Sequence, residues 1–369
     1  MFTKKSAQRM VLLSQRIFLQ RYRELVVGSD VINDDADCYV IAEIGHNHQG
    51  DINKAKEMFL AAKECGAKAV KLQKRDNRTL FTKGLYNKPY DNENSFGDTY
   101  GAHHEYLEFG LDQYRELKRY AQEIGITFFA TAFDIPSADF LANVDMPAFK
   151  IASGDLTNIP LLKYVAGFQK PMIVSTGGAV MADVQRAYDA IMPINPKLCL
   201  MQCTAGYPPA YEELNLRVIA TFRELFPDIV IGYSGHDSGI AMALAAFMLG
   251  ARMVEKHFTL NRAMKGTDHA FSLERPGLQK MIRDLSRAKA AMGDGIKKQY
   301  PSEAAPLTKM GKQLVAARDI AKGRKLTAAD IAIKSPGGNI PPYELENMIG
   351  KVLTTDVAED APLRWDIVG

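Results

Sequence analysis

The chain predicts an α/β architecture, a closed (β/α)8 TIM barrel followed by a small β-rich domain, and three observations carry that expectation. From residue 39 onward, short β-rich runs alternate with longer amphipathic runs at intervals of roughly 25 to 35 residues, the signature of βα units around a parallel sheet. The alternating stretch occupies about 255 residues, the size of a closed barrel. No G-x-G-x-x-G turn follows the first strand, which disfavours an open doubly wound sheet, the other arrangement such alternation permits.

In chain order, residues 1–36 read as an N-terminal extension, 37–294 as the barrel, 295–311 as a linker and 312–369 as the small domain. The first 28 residues hold Lys4, Lys5, Arg9, Arg16, Arg21 and Arg23 against Glu24, a sum of +5. This start echoes a transit peptide, but apolar fragments such as Met10 to Leu13 are too short for the core of a secretory signal. An ordinary extension with a partly apolar helix face is expected. The eight strands are expected at Tyr39 to Glu43, Ala69 to Gln73, Thr127 to Thr131, Ala148 to Ala152, Met172 to Ser175, Leu198 to Cys203, Ile229 to Tyr233 and Met253 to His257. Helical patterns fall at Ile52 to Cys65, Leu111 to Ile124, Ile159 to Gly167, Ala182 to Ile191, Leu214 to Phe226, Gly239 to Leu249 and Gly277 to Met292. The connection from Lys74 to Gly110 is unusually long, and its aromatic content argues for an ordered, functional loop. After Gly293 a charged, proline-bearing linker leads into a segment with turn signals every ten or so residues, too small to be more than marginally stable without docking or oligomerising.

Composition narrows the function. Lys plus Arg at 46 against Asp plus Glu at 43 gives a net charge of +3, too balanced for a protein that grips phosphate backbones, so no nucleic-acid partner is expected. With +5 in the first 28 residues, the remainder sums to −2. Cys38, Cys65, Cys199 and Cys203 make neither a CxxC pair nor a disulfide framework, which suits a reducing, cytoplasmic setting. No apolar run of about 18 residues exists to span a membrane.

Polar residues recur where barrel strands end, the face at which barrels place their chemistry. Glu43 ends the first strand, Lys71 and Gln73 the second, Thr131 the third, Lys150 and Ser153 the fourth and Ser175 the fifth. Gln202 and Tyr207 end the sixth, Ser234 and His236 the seventh, Glu255 and His257 the eighth. Each has a bland explanation singly, as a snorkelling lysine, a helix cap or a hydrogen-bonded core histidine. Their recurrence at one rim points to function. Strand alternation puts Glu255 and His257 on one face, with Val254 and Lys256 on the other, and likewise pairs Lys71 with Gln73. His236 and His257 close adjacent strands and could meet at one divalent ion; two imidazoles without thiolate suit Mn²⁺, Co²⁺, Fe²⁺ or Zn²⁺ better than Ca²⁺. Lys71 and Lys150, inside an apolar barrel, call for an anion or a carbonyl. Ser153-Gly154 and Ser175-Thr176-Gly177 add hydroxyls and N–H groups of a phosphate or carboxylate site. A Schiff-base lysine is the competing chemistry.

At these residues the sequence resembles the sialic acid synthase family, which condenses phosphoenolpyruvate with N-acetylmannosamine or its 6-phosphate. The matching text is IAEIGHNHQGD at 41–51, KLQK at 71–74, FKIASGD at 149–155, VSTGG at 174–178, QCTAGYP at 202–208, IGYSGHDSG at 231–239, VEKHFTL at 254–260 and KGTDHAFSLE at 265–274. The C-terminal piece resembles the antifreeze-like (SAF, β-clip) domain these enzymes carry. The resemblance implies metal binding by His236 and His257, with Mn²⁺ favoured and Mg²⁺ or Co²⁺ possible. It implies phosphoenolpyruvate binding by Lys71, Thr131, Lys150, Ser153, Ser175 and Ser234, and acid/base work by Glu43. Gln73, Tyr207, Glu255 and Asp268 would address the sugar. The loop NSFGDTYGAHHEYLEF resembles that of synthases using the phosphorylated sugar, which adds Asn94 and His103 as sugar contacts and makes a sialic acid 9-phosphate product the expectation. Two positions depart from the bacterial free-sugar pattern: Ala205 stands where those enzymes have Asn, and Ser335 stands in IKSPGGN where they have an Arg reaching the partner subunit. Family members are homodimers whose small domain caps the partner's barrel. A Schiff-base pyruvate aldolase or lyase on the same barrel, and a non-catalytic carbohydrate-binding protein, remain the alternatives.

Overall fold

A computed structural model describes residues 23–369, so the expectations for the basic start up to Arg21 lie outside the described residues. The described chain forms two compact units, one running to Met292 and one from Gly293 to Gly369.

The first unit opens with an antiparallel hairpin, β1 (Glu24–Val27) and β2 (Asp30–Asn33), inside the stretch that the sequence predicts to be an extension. It folds because Leu25, Val27 and Ile32 alternate inward and join the barrel core. Its end is tied by Asp34, which receives Arg223 at 2.8 Å and also pairs with Arg23 and Arg252. Arg23 is therefore a structural cation.

Eight parallel strands then close the barrel: β3 (Tyr39–Gly45), β4 (Ala69–Lys74), β5 (Thr127–Ala132), β6 (Phe149–Ile151), β7 (Met172–Ser175), β8 (Leu198–Cys203), β9 (Val230–Gly235) and β10 (Met253–His257), with β10 pairing back onto β3. They are rich in Val, Ile, Phe and Met and buried throughout β3, β7, β8, β9 and β10, as strands covered on both faces must be. Helices line the outside. Asp51 caps the helix Ile52–Glu64 through the amides of Asn53 and Lys54, and Gly125 at φ 71° ends Leu111–Ile124 in the left-handed conformation. The connection between β5 and β6 carries a helix, Ile135–Asn143, that periodicity did not reveal; Asp134 caps it through the Ser137 amide at 2.7 Å. The long connection after β4 is ordered by three short helices, Asn77–Leu80, Lys83–Tyr86 and Tyr100–Leu107.

The second unit has its own core of Leu314, Ala316, Ile320, Leu326, Leu353 and Leu363. β11 (Gln313–Ala316) pairs antiparallel with β12 (Ile331–Lys334), and isolated bridges join Ile320 to Val357 and Leu353 to Val368. The fully buried Asp330 carboxylate holds this small fold by accepting from the Thr327 hydroxyl at 2.6 Å and from Arg318 at 2.6 Å. All four cysteines are buried free thiols, and no helix among the described residues is long and apolar enough to cross a membrane.

Candidate active site

The carboxyl ends of the barrel strands open into a cavity of about 530 Å³. Every site residue expected from the sequence lines it except Asn94. The Asn94 side-chain carbonyl instead accepts the Gly266 N–H at 2.9 Å, tying the long connection to the segment after β10. Gln202, noted at the end of β8, also turns away and donates to the Leu214 carbonyl at 3.1 Å.

Strand register assembles the floor. Glu43 on β3 lies beside Lys71 on β4 and beside His257 on β10; Thr131 on β5 lies beside Gln73 and Lys150; Ser234 on β9 lies beside Glu255. Inward and outward faces follow the expected alternation. On β4, Lys71 and Gln73 face the cavity while Lys74 faces out and pairs with Glu108 at 2.8 Å. On β10, Glu255 and His257 face in, while Lys256 lies behind the wall, 3.0 Å from the Asp237 carboxylate.

Two buried ammonium groups stand on this floor. Lys71, 3 % exposed, is 2.7 Å from Glu43 Oε2, 3.9 Å from Glu255 Oε1, and donates to Thr131 Oγ1 at 2.8 Å. Lys150 donates to Ser175 Oγ at 2.5 Å and to the Ile151 carbonyl at 2.9 Å, and burial lowers its pKa. Glu43, 1 % exposed, is pushed up to about 7 by burial, against the opposing pull of Lys71. Burial also opposes ionisation of Glu255, but Lys150 and Lys71 outweigh it and hold that carboxyl below its usual range. The two carboxyls are thus driven apart, one toward the acid and one toward the anion, the arrangement that acid/base chemistry requires. Ser153 accepts the Gly177 N–H at 2.9 Å, and its hydroxyl also bonds the Cys203 thiol.

The rim closes over this floor. A bulge between Glu43 and Gly45 puts Gly45 at φ 53°, where an added Cβ would stand 3.2 Å from Gln73 Nε2 and Glu43 Oε1 and 3.4 Å from Asp268 Oδ2. Glycine is needed there both for the backbone angle and for the approach of three side chains. The His236 and His257 rings lie 5.4 Å apart, with Tyr207 4.2 Å from His236. Burial keeps both imidazoles neutral, His236 at about 4 and His257 at about 3. His236 Nδ1 faces the Thr204 carbonyl at 3.0 Å, so it carries the proton and leaves Nε2 bare. His257 Nδ1 is buried without a hydrogen-bond partner, 3.6 Å from Asp268 Oδ2. Among the described residues no three His, Cys, Asp or Glu side chains converge as a ready metal cage. The pair fits a divalent ion as two of its ligands, with water or substrate oxygens supplying the rest.

Sequence reasoning missed Arg75. It lines the cavity with His46, Tyr90, Tyr100 and His104 on the side of the long connection. The signal was present: Arg75 continues the two-residue step of Lys71 and Gln73 past the end of β4.

Comparison with known proteins identifies the family. The NeuB family model matches residues 58–297 and the SAF domain model matches residues 312–368. The N-acetylneuraminate-9-phosphate synthase of Homo sapiens is 43% identical over 90% of this chain and 92% of its own length. The N,N'-diacetyllegionaminic acid synthase of Legionella pneumophila is 33% identical over 89% of this chain and 94% of its own. The crystal structure of the N-acetylneuraminic acid synthetase from Leptospira borgpetersenii, in complex with citrate, superposes with a TM-score of 0.68 at 30% identity, covering 77% of this chain and 95% of that one. The chain belongs to the NeuB family, the sialic acid synthases whose motifs its barrel strands carry, and ends in an SAF domain.

Proposed function

We propose that this chain condenses phosphoenolpyruvate with N-acetylmannosamine 6-phosphate, or a close N-acyl relative, to give a sialic acid 9-phosphate and inorganic phosphate. The cavity floor carries this reading. Lys71 and Lys150 stand there with the hydroxyls of Thr131 and Ser175, beside a Glu43 carboxyl that burial holds near neutrality. Buried cations with adjoining hydroxyls suit a small, highly charged anion, and a carboxyl raised to about 7 can both lend and recover a proton near pH 7, as acid/base work requires. The phosphorylated acceptor is supported by the human relative's product and by the long connection that walls the cavity.

In this reading the phosphate and carboxylate of phosphoenolpyruvate lie against Lys71 and Lys150, with Ser153, Ser175 and Ser234 supplying hydroxyl donors. Their charge makes ionisation of Glu43 harder still. Gln73, Tyr207, Glu255 and Asp268 orient the open-chain sugar so that its C1 aldehyde meets C3 of the enol. The enol π electrons form the new C–C bond, and the aldehyde oxygen takes a proton from Glu43. Water adds at the electron-poor C2 and gives its proton back to the Glu43 carboxylate. The tetrahedral carbon then collapses: its C–O bond to phosphate breaks, and the C2 hydroxyl passes its proton to the departing phosphate as it becomes the ketone. A divalent ion on His236 and His257, Mn²⁺ by donor type with Mg²⁺ or Co²⁺ as alternatives, supplies Lewis acidity when bound.

The test is phosphate release from phosphoenolpyruvate with added Mn²⁺, comparing N-acetylmannosamine, its 6-phosphate, mannose 6-phosphate and 2,4-diacetamido sugars. Release with the 6-phosphate supports the reading. No release with any sugar, or a borohydride-trapped pyruvate adduct on Lys150 or Lys71, overturns it in favour of a binding protein or a Schiff-base aldolase.

A further inference from the structure

We propose that Arg75 is the anion subsite for the far end of the acceptor, gripping the phosphate monoester at the opposite end of the sugar's carbon chain from the aldehyde. This rests on the condensation reading above and adds the residue that selects the phosphorylated sugar.

Position comes first. Lys71, Gln73 and Arg75 lie two residues apart along one side of β4 and its continuation, each step advancing about 6.6 Å from floor to mouth. A sugar whose aldehyde lies near Lys71 and Glu43 extends its other end up this column toward Arg75.

Charge balance comes second. Arg75 has 11 % of its side chain exposed, and among the described residues the carboxylate within 4 Å of it is Glu108, 3.9 Å away. Glu108 is already engaged by Lys74 at 2.8 Å. At contact distance two cations therefore share one carboxylate, while Asp268 and Glu43 on the same cavity attract Arg75 only at longer range. The imidazoles around it do not change that sum: burial keeps His46, His103 and His104 below their usual pKa range, and Arg75 lowers each of them further. A buried cation with half a counterion is costly unless an anion joins it.

The donors complete the argument. Of the five N–H groups of the guanidinium, one goes to His46 Nε2 at 2.9 Å and one to Gln73 Oε1 at 2.6 Å. The plane is held 3.9 Å over the Phe133 ring. A fixed fork with unspent N–H groups matches phosphate oxygens in a way a lysine cannot. The Gln73 amide, held by Arg75 on one side, donates to Glu43 at 2.7 Å on the other, so the subsite and the acid/base carboxyl belong to one hydrogen-bonded column.

The experiment compares kcat/KM for N-acetylmannosamine 6-phosphate and for N-acetylmannosamine in the wild type, Arg75→Gln and Arg75→Lys, at saturating phosphoenolpyruvate. The expected wild type prefers the phosphorylated sugar, Arg75→Gln cuts that preference about a hundredfold through KM, and Arg75→Lys, which keeps the charge without the fork, restores about a tenth of it. Added guanidinium ion rescues Arg75→Gln for the phosphorylated sugar alone. If the wild type prefers the phosphorylated sugar and Arg75→Lys and Arg75→Gln keep that preference, the subsite lies elsewhere and the condensation reading stands. Equal losses on both sugars make Arg75 a support of Gln73 and overturn the proposal. A wild type that turns over neither sugar, or both equally, overturns the phosphorylated-acceptor reading and this subsite with it.

Discussion

The Lys71 ammonium lies 2.7 Å from the Glu43 carboxylate, on the neighbouring barrel strand and in register with it. Both groups are inside the protein, so neither is screened by water. Glu43→Gln keeps the shape and the Gln73 contact but removes the proton that can be lent and recovered. Loss of a positioned general acid costs about 10²- to 10⁴-fold. The expected outcome is a fall of that size in kcat for Glu43→Gln, with the KM for phosphoenolpyruvate moving less than threefold. Steady-state phosphate release measures both, and an unchanged kcat would remove Glu43 from the chemistry.

The same carboxyl makes stability depend on pH. Burial raises Glu43 from 4.5 to about 7, so between those values the folded chain holds a proton that the unfolded chain has released. Stability is highest with this proton bound and falls as pH rises through that window, by on the order of 3 kcal/mol when complete. Urea unfolding at pH 5 and pH 8 should show the wild type losing stability relative to Glu43→Gln, whose side chain has no proton to lose. Parallel curves for the two proteins would contradict the shift.

Behind the two histidines sits a second buried pair. Lys256 donates to Asp237 Oδ1 at 3.0 Å and to the Asp237 carbonyl at 2.5 Å, and the Tyr233 hydroxyl donates to the same carboxylate at 2.7 Å. Each charged member adjoins a histidine in the chain, so the pair pins β9 to β10 where the imidazoles project. Lys256→Met strands the Asp237 charge and should cost about 3–5 kcal/mol, while Lys256→Met with Asp237→Leu should recover most of it. Chemical denaturation of the single and double variants decides; equal losses in both would mean that packing, not charge, is what Lys256 supplies.

The barrel was legible because its signal repeats: each strand is a short apolar run, and the period of two decides which polar end residues face inward. Glu255 with His257, and Lys71 with Gln73, followed from that rule. The same rule, extended one step, reaches Arg75, but the chain there has left the strand pattern and reads as loop. Asn94 failed for the opposite reason. A loop motif identifies residues near a site, but side-chain direction there depends on tertiary partners, and Asn94 satisfies the Gly266 amide instead of facing the cavity. The Glu24–Asn33 hairpin was hidden because two strands of four residues beside a basic segment carry too little periodicity to separate from an extension. Alternation gave the sides of the barrel wall, whereas the pairing of Lys71 with Glu43 needed the register.

The imidazole pair sets the last expectation. His236 presents a bare Nε2 because its Nδ1 proton is committed to the Thr204 carbonyl, and burial keeps both rings neutral at pH 7, so no added proton competes with a metal ion for the ring nitrogen's lone pair. Two imidazoles alone are a weak site for a divalent ion, and the remaining positions fall to water and substrate oxygens. Calorimetric titration of chelator-treated protein with Mn²⁺ should therefore show weak binding that tightens at least tenfold when phosphoenolpyruvate and acceptor are present. His257→Ala should weaken Mn²⁺ binding at least tenfold, and the His236→Ala, His257→Ala double variant should abolish it. The double variant should still bind phosphoenolpyruvate, because Lys71 and Lys150 are held by partners that the histidines do not touch. Undiminished Mn²⁺ binding in the double variant would place the ion elsewhere in the cavity, with Asp268 and Glu255 as the carboxylates to substitute next.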